Sequence, residues 1–531
     1  MKIYGDFSST PTEAKVLIEI YEIQIEFIDS SYKSSAVMLL FSSNTIYISM
    51  TCFILTLILI ANELNIKLIK KKKTNSGEVQ KYTLSVDDNN NSDSDASEIV
   101  EILKEAPGPK PRRIFGNLES LQGYEIPYQA FTDLSEKYGQ IVKLQLGSVP
   151  SMVVNGMENI KEVLVSKGHH FDSRPNFKRY HMLFSGNKEN SLAFCDWSDV
   201  QKARRDMLTS HTFPRKFSMS FDRFSDITME YLQQLSVDIK HSMEHQKFVS
   251  VKTLVNETCY ASDFLPFLLP FRRNHMKKME QWSHEIRNFV LEDIVGDRFE
   301  QWRIGSEPND YIDSLIDHVK QDMQPRMEWE TALFALEDII GGHAAVSNFV
   351  IKVIGFIAKN KEVQRNIQAE LDNLLIDRSE KSVLIADRNK LIYTEAVIME
   401  TLRIISSPIV PHVANQDSSI DGYSVKAGTL IFLNNYDLNM SPALWDEPEK
   451  FEPNRFLSNG RLLKPDHFIP FGMGRRSCMG YKLVQMLSFA IVGNLCKEFD
   501  ISPLDDAEVL VPLGSLAMSE NPYQFAFNLR N

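Results

Sequence analysis

The sequence predicts a mainly α-helical fold with small β-sheets, preceded by one transmembrane helix. From Pro107 to Asn531 long stretches repeat apolar residues at three- and four-residue spacing, broken by short β-like segments such as QIVKLQLG and SMVVNG. No internal repeat divides this region. Ser34 to Asn62 carries no charged residue, a run long enough to cross a hydrocarbon core of about 30 Å.

The elements follow in chain order. Residues 1–33 form an acidic extension with six acidic and three basic side chains, unlike an arginine-rich transit peptide. Residues 34–62 are the anchor. KLIKKKK at 67–73 follows it, and the positive-inside tendency then keeps the rest of the chain cytosolic. The expected address is the endoplasmic reticulum membrane, crossed once. Residues 63–106 read as a basic and then acidic linker, because SVDDNNNSDSDASE has no aromatic residue and cannot bury enough apolar surface to fold. Pro107, Pro109 and Pro111 stiffen the chain at the start of the catalytic domain, expected over 107–531. DFLPFLLPFRR, at 263–273, reads either as a core turn or as a loop dipping into lipid headgroups.

Composition narrows the function classes. With 531 residues, 43% hydrophobic and 24% charged, the chain can bury a large core. Its five cysteines include no C-x-x-C pair and no regular framework, so no disulfide scaffold is indicated and a reducing compartment fits. A formal net charge of -12 argues against nucleic acid as a partner.

Chemistry concentrates in FGMGRRSCMG, residues 471–480. A cysteine thiolate donates strongly to iron, and nearby glycines let backbone N–H groups approach the sulfur and moderate its charge. Gly474 and Gly480 flank Cys478, and Arg476 is a partner for a haem propionate. A lone buried cysteine would otherwise be a small hydrophobe. The stretch resembles the haem-binding signature F-x-x-G-x-R-x-C-x-G of the cytochromes P450, at Phe471, Gly474, Arg476, Cys478 and Gly480. ETLR puts Glu400 and Arg403 on one helix face, and FEPNRF supplies Arg455. These resemble the family's E-x-x-R helix and P-x-R-F segment, which implies a structural ion cluster.

PHVANQDSSI places His412 where the animal microsomal branch, which includes steroid hydroxylases, has a histidine facing a propionate. DWSDVQKARRDM resembles the helix whose Trp and Arg also reach the propionates. Trp197 matches, but Gln201 stands where Arg is usual; Lys202, Arg204 and Arg205 are nearby, with Arg204 the candidate named among them and the choice left open. The resemblance implies a haem-thiolate fold and heme b, its iron ligated axially by Cys478. It also implies O2 chemistry fed by NADPH-cytochrome P450 reductase. That partner would dock near Cys478, on Lys202, Arg461, Lys464, Arg475 and Lys482.

The departure lies in DIIGGHAAVSN, residues 338–348. Ala335, Ile339, Val346, Val350 and Val353 give the helical spacing. Gly341 and Gly342 each cost such a helix about 0.5–1 kcal/mol, a cost that signals close approach to its backbone. The family usually carries A/G-G-x-D/E-T here, and its acid and threonine order water and help deliver protons. Ala344 and Ala345 replace both with methyl groups, which neither donate nor accept a hydrogen bond. The candidates at this site are Gly342, His343, whose unperturbed pKa is about 6.5, and Ser347, with Asn348 beside it.

Two alternatives stay open: a reductase-independent isomerase or dehydratase of the same fold, or a haem-binding protein that is not an enzyme. IIGGHAAVSN, DFLPFLLPF and FGMGRRSCMGYKLVQ together resemble arthropod Spook-type P450s of moulting-hormone biosynthesis. That resemblance implies a sterol substrate, in an early oxidation of 7-dehydrocholesterol toward ecdysteroids. Motif logic alone gives a large apolar ligand, lined by Leu183, Phe184, Ile409, Val410 and Ala517.

Overall fold

The computed structural model describes residues 103–124, 126–212, 218–244, 249–250, 264–265, 267, 273–376, 378, 382–503 and 524–530. The acidic extension, the anchor, most of the linker and Ala517 lie outside the described residues. Among the described residues no helix is long and apolar enough to cross a membrane. The chain is already hydrogen-bonded into the domain at Lys104, ahead of the prolines: Lys104 N–H donates to Gly422 O at 3.2 Å, and Ser424 N–H donates to Lys104 O at 2.8 Å.

Six helices position the site: α1 Asp199–Thr212, α2 Arg273–Phe289, α3 Trp329–Lys359, α4 Lys361–Leu375, α5 Ile392–Ile405 and α6 Tyr481–Glu498. The glycine pair does not interrupt α3, which runs unbroken for 31 residues. Its flanks explain why. Ala332 to Leu336 and Phe349 to Ile351 are buried on both sides of the pair, so packing outweighs the local cost of the glycines. α3 lies against α4, α5, α6 and the strand β5 Phe499–Pro503. One apolar cluster holds Phe349, Val353 and Ile357 of α3, Val397 and Leu402 of α5, and Phe489 and Cys496 of α6. Phe349 and Phe489, 1% and 0% exposed, each contribute about 1.5–3 kcal/mol by burial. Val346 of α3, Phe471 of the cysteine loop and Val484 of α6 pack on the same cluster, which sets the middle of α3 beside that loop.

The two β-like segments form a hairpin, Ile141–Leu146 with Val149–Val154, register Ile141↔Val154 to Leu146↔Val149. Gly147 turns it at φ +56°, where a Cβ would lie 2.2 Å from Phe264 O. The second strand pairs in parallel with Leu430–Leu433, which pairs antiparallel with His412–Val413, so His412 is carried on a sheet. A second sheet joins β5 to Gln524–Leu529 and Val249–Ser250. Of DFLPFLLPFRR, Phe264 and Leu265 are buried and Phe267 is 50% exposed, so the described part combines a core turn with one exposed ring.

The ion cluster anchors the region ahead of the cysteine loop. Arg403 donates twice to Glu400, at 2.7 and 2.8 Å, and to Asn439 O at 2.7 Å. Glu400 also accepts from Arg455 at 3.3 Å and from Glu452 N–H at 2.9 Å. Glu400 and Arg403 are both fully buried, and such a pair holds only because every remaining lone pair and proton finds a partner.

Candidate active site

Glycine shapes the loop that carries Cys478. Gly474 has φ +70°, and a Cβ there would stand 2.0 Å from Leu164 O, so only glycine fits. Cys478 N–H donates back to Phe471 O at 2.9 Å and closes the loop. At Gly480 a Cβ would meet no protein atom within 4 Å; its contribution is a backbone N–H bonded to the cysteine sulfur. Burial pushes the Cys478 thiol pKa up, against the pull of that N–H and of Arg205. The residue is nevertheless exposed on its open side. Such a thiol keeps its proton at neutral pH unless a metal ion displaces it.

Cations gather around it. Arg174, buried, donates to Val410 O at 2.9 Å and Pro411 O at 3.0 Å. Arg205 donates to Ser477 O at 2.7 Å. Arg476, also buried, donates to Cys195 O, and its Nε has no partner among the described residues. The guanidiniums of Arg475 and Arg476 lie 5.1 and 5.9 Å from the centre of the half-buried Trp197 ring. Burial and repulsion by Arg476 together lower the pKa of Arg174 and of Arg205.

His412, 2% exposed, approaches Phe171 O with Nδ1 at 2.6 Å. A carbonyl only accepts, so Nδ1 carries the proton. Burial, reinforced by Arg174 and Arg476, holds the His412 pKa well below its usual range. Among the described residues the carboxylates around this cluster pair with other cations: Asp172 with Arg475 at 2.9 Å, Asp196 and Glu189 with Lys188 at 2.7 and 3.0 Å, and Asp206 with Lys202 at 3.1 Å. Arg174, Arg205 and Arg476 are therefore left on backbone carbonyls. Crowded guanidiniums without a carboxylate are costly. The donor set fits a planar group carrying two carboxylates and a metal ion that binds thiolate, and haem is such a group.

Arg204 is held by backbone carbonyls, with its Nε unpartnered among the described residues. It is 1% exposed and donates to Asn190 O at 2.6 Å, Ser191 O at 3.2 Å and Thr331 O at 3.4 Å, tying α1 and the segment at 190–191 to α3. The next residue, Arg205, is the one that reaches the cysteine loop, because successive helix positions point about 100° apart. Gln201, fully buried, donates to Leu192 O.

On α3, Gly342 and Ser347 are exposed, and a Cβ at Gly342 would meet no protein atom within 4 Å. Asn348 is buried, with Oδ1 unpartnered among the described residues. The expectation placed on the His343 side chain lies outside the described residues. Phe184 packs edge-on against Phe334 of α3, ring centres 5.7 Å apart, and Leu183 O accepts from Ser283 of α2 at 2.5 Å. Ile409 and Val410 are half-buried.

A family model described as Cytochrome P450 matches residues 106–259 and 210–527. The chain belongs to the cytochrome P450 family. Cytochrome P450 307a1 of Drosophila melanogaster is 34% identical over 475 residues, covering 78% of this chain and 87% of that protein. Farnesoate epoxidase of Bombyx mori is 29% identical over 473 residues, covering 80% and 94%. Cytochrome P450 1A1 of Platichthys flesus is 27% identical over 472 residues, covering 77% and 87%. Cytochromes P450 are monooxygenases that bind haem through a cysteine thiolate, and this chain is one of them.

In this cytochrome P450, sequence reasoning passed over Arg174 and two carboxyls of α3. SRPNF marks Arg174 only as a charge before a proline, and no spacing connects it to Arg476. Asp338 accepts from Ser191 Oγ at 2.9 Å and from Leu192 N–H, yet burial outweighs both and raises its pKa to about 6. Burial likewise raises Glu337 to about 8 against the pull of Arg287, 3.3 Å away. Both folded-state values lie above the unfolded ones, so the folded state binds more protons through this range. The stability this contributes is full below about pH 4 and is lost as pH rises through about 6 and 8. The midpoint of thermal unfolding is expected to fall between pH 6 and 8, and Glu337→Gln, which keeps the neutral shape, to flatten that slope.

Proposed function

We propose that this cytochrome P450 oxidises a sterol or comparably large apolar molecule with O2 and electrons from NADPH-cytochrome P450 reductase, at an early step of ecdysteroid formation. The observation that carries the reductase-fed reading is a cleft of about 470 Å3 beside the cysteine loop, lined by Lys202, Arg205 and Arg475 against one acid, Asp206, with Trp197, Thr209 and Gly474. Its charge suits an acidic protein surface. Arg461, Lys464 and Lys482 are exposed and available to the same partner.

In this reading Cys478 ligates the iron of heme b. Arg476, Arg174 and His412 meet the propionates, with Trp197 stacked beside Arg476, while Phe471, Gly474 and Gly480 hold the loop in shape. Arg205, bonded to Ser477 O, adds positive charge beside the cysteine loop, and Arg204 stays a candidate for the propionates. Bound haem supplies the reduction of O2 and the oxidation of the substrate. The chain positions the thiolate, balances the propionate charge, and presents an apolar wall from Leu183, Phe184, Ile409 and Val410 to the substrate. Gly342, His343 and Ser347 are the distal candidates, with His343 the ionisable one among them.

The Spook-type resemblance supports the sterol, and the Bombyx mori relative acts, by its name, on farnesoate. Phe267 supports contact with membrane lipid, in a single-pass endoplasmic reticulum protein with its catalytic domain in the cytosol.

Turnover of 7-dehydrocholesterol in membranes tests the reading. Product is expected only with reductase and NADPH. Product without reductase would favour the isomerase or dehydratase alternative, for which the alanine pair of α3 is the supporting observation. In the same assay His343→Ala is expected to lower product per NADPH and to release peroxide; unchanged coupling eliminates the histidine.

A further inference from the structure

Ala344 and Ala345 leave the distal side of α3 without its usual proton-handling pair, and the helix register shows what lies next to them. Asn348 follows Ala345 by three residues and Ala344 by four, so it neighbours both on the helix surface. Lys352 follows Asn348 by four and continues the stripe.

Both polar side chains are buried, Asn348 at 4% and Lys352 at 0% exposure. Asn348 Oδ1 has no hydrogen-bond partner among the described residues. An unmade bond at a buried acceptor costs about 1–3 kcal/mol, which makes the atom a place for a donating water. Helical side chains lean toward the N-terminus, so on this register position 352 is directed back over 348, on the side of the alanines. Burial also brings the Lys352 pKa down to about 8, within reach of proton exchange near neutrality.

We infer that Asn348 and Lys352 form a buried proton path to the distal side of the haem, in place of the missing acid and threonine. This rests on the reductase-fed reading. The overall reaction inserts one oxygen atom of O2 into a substrate C–H bond and releases the other as water, taking two electrons from the reductase and two protons from solvent. Lys352 passes a proton to the water held by Asn348 and is reprotonated from solvent. Neither residue touches substrate; both are positioning residues.

The test uses the haem-loaded full chain with reductase and 7-dehydrocholesterol. In Asn348→Leu and Lys352→Met, NADPH consumption is expected to hold while product per NADPH falls at least about 10-fold, the electrons reappearing as hydrogen peroxide. Asn348→Asp, which returns an acid one turn from the missing one, is expected to keep the parent's coupling. A readout independent of turnover is the infrared stretching band of CO on the reduced protein. It is expected to move to higher wavenumber in Lys352→Met, as a positive charge leaves the distal side.

Parental coupling in both variants overturns the inference. So does a parallel fall of NADPH consumption, product and CO-binding protein, the signature of a merely structural role. A parent that forms product without reductase overturns the reading beneath as well, and the assay shows that separately.

Discussion

Cys478→Ala is expected to remove the absorption band that marks a thiolate-ligated, CO-bound haem, and with it all reductase-driven turnover. Alanine offers no donor to iron. The loop around it should survive, because its closure is made by the Cys478 N–H to Phe471 O bond and by the left-handed turn at Gly474, neither of which needs the sulfur. Circular dichroism of the variant is therefore expected to match the parent, and the loss to appear in the CO difference spectrum and in turnover. Survival of the thiolate band would show that another residue ligates the iron.

The second large effect is expected far from the iron, at Arg403→Met. The substitution removes the bonds of 2.7 and 2.8 Å to Glu400 and leaves a carboxylate of 0% exposure facing only Arg455, 3.3 Å away, and one backbone N–H. Breaking one partner out of a buried pair costs about 3–5 kcal/mol. That approaches the about 5–15 kcal/mol that holds a typical domain together. The expected result is little or no CO-binding protein on expression and a large fall in the urea midpoint of whatever folds. Arg403→Lys is not expected to rescue it, since one ammonium cannot reach both Glu400 oxygens and Asn439 O together. A variant with the parent's midpoint would refute the structural role of the cluster.

How much of this was legible beforehand differs from residue to residue. The helical character and the two strand segments follow from apolar spacing, which local burial imposes directly on the chain. Glu400 and Arg403 could be paired because three residues place two side chains on one helix face whatever surrounds them. The cysteine loop could be read because Gly474 and the donor set obey local backbone and ligand chemistry. Between arginines 204 and 205 spacing could not choose, since a helix's rotation about its axis depends on what it packs against. α1 turns Arg204 toward the carbonyls of residues 190 and 191 and Arg205 toward Ser477.

By itself the sequence determined the fold class, the ion pair on α5, the cysteine loop and the absence of the acid and threonine from α3. Each is a matter of residue type and short spacing, which local geometry converts into structure. Only the tertiary structure decided that Arg174 meets the chain at Val410 and Pro411, 236 and 237 positions away. It alone set the tautomer of His412, the raised pKa values of Glu337 and Asp338, and the burial of Asn348 and Lys352. Those properties arise from desolvation and from charges brought together by chain closure, and no local pattern encodes which distant segment will supply them.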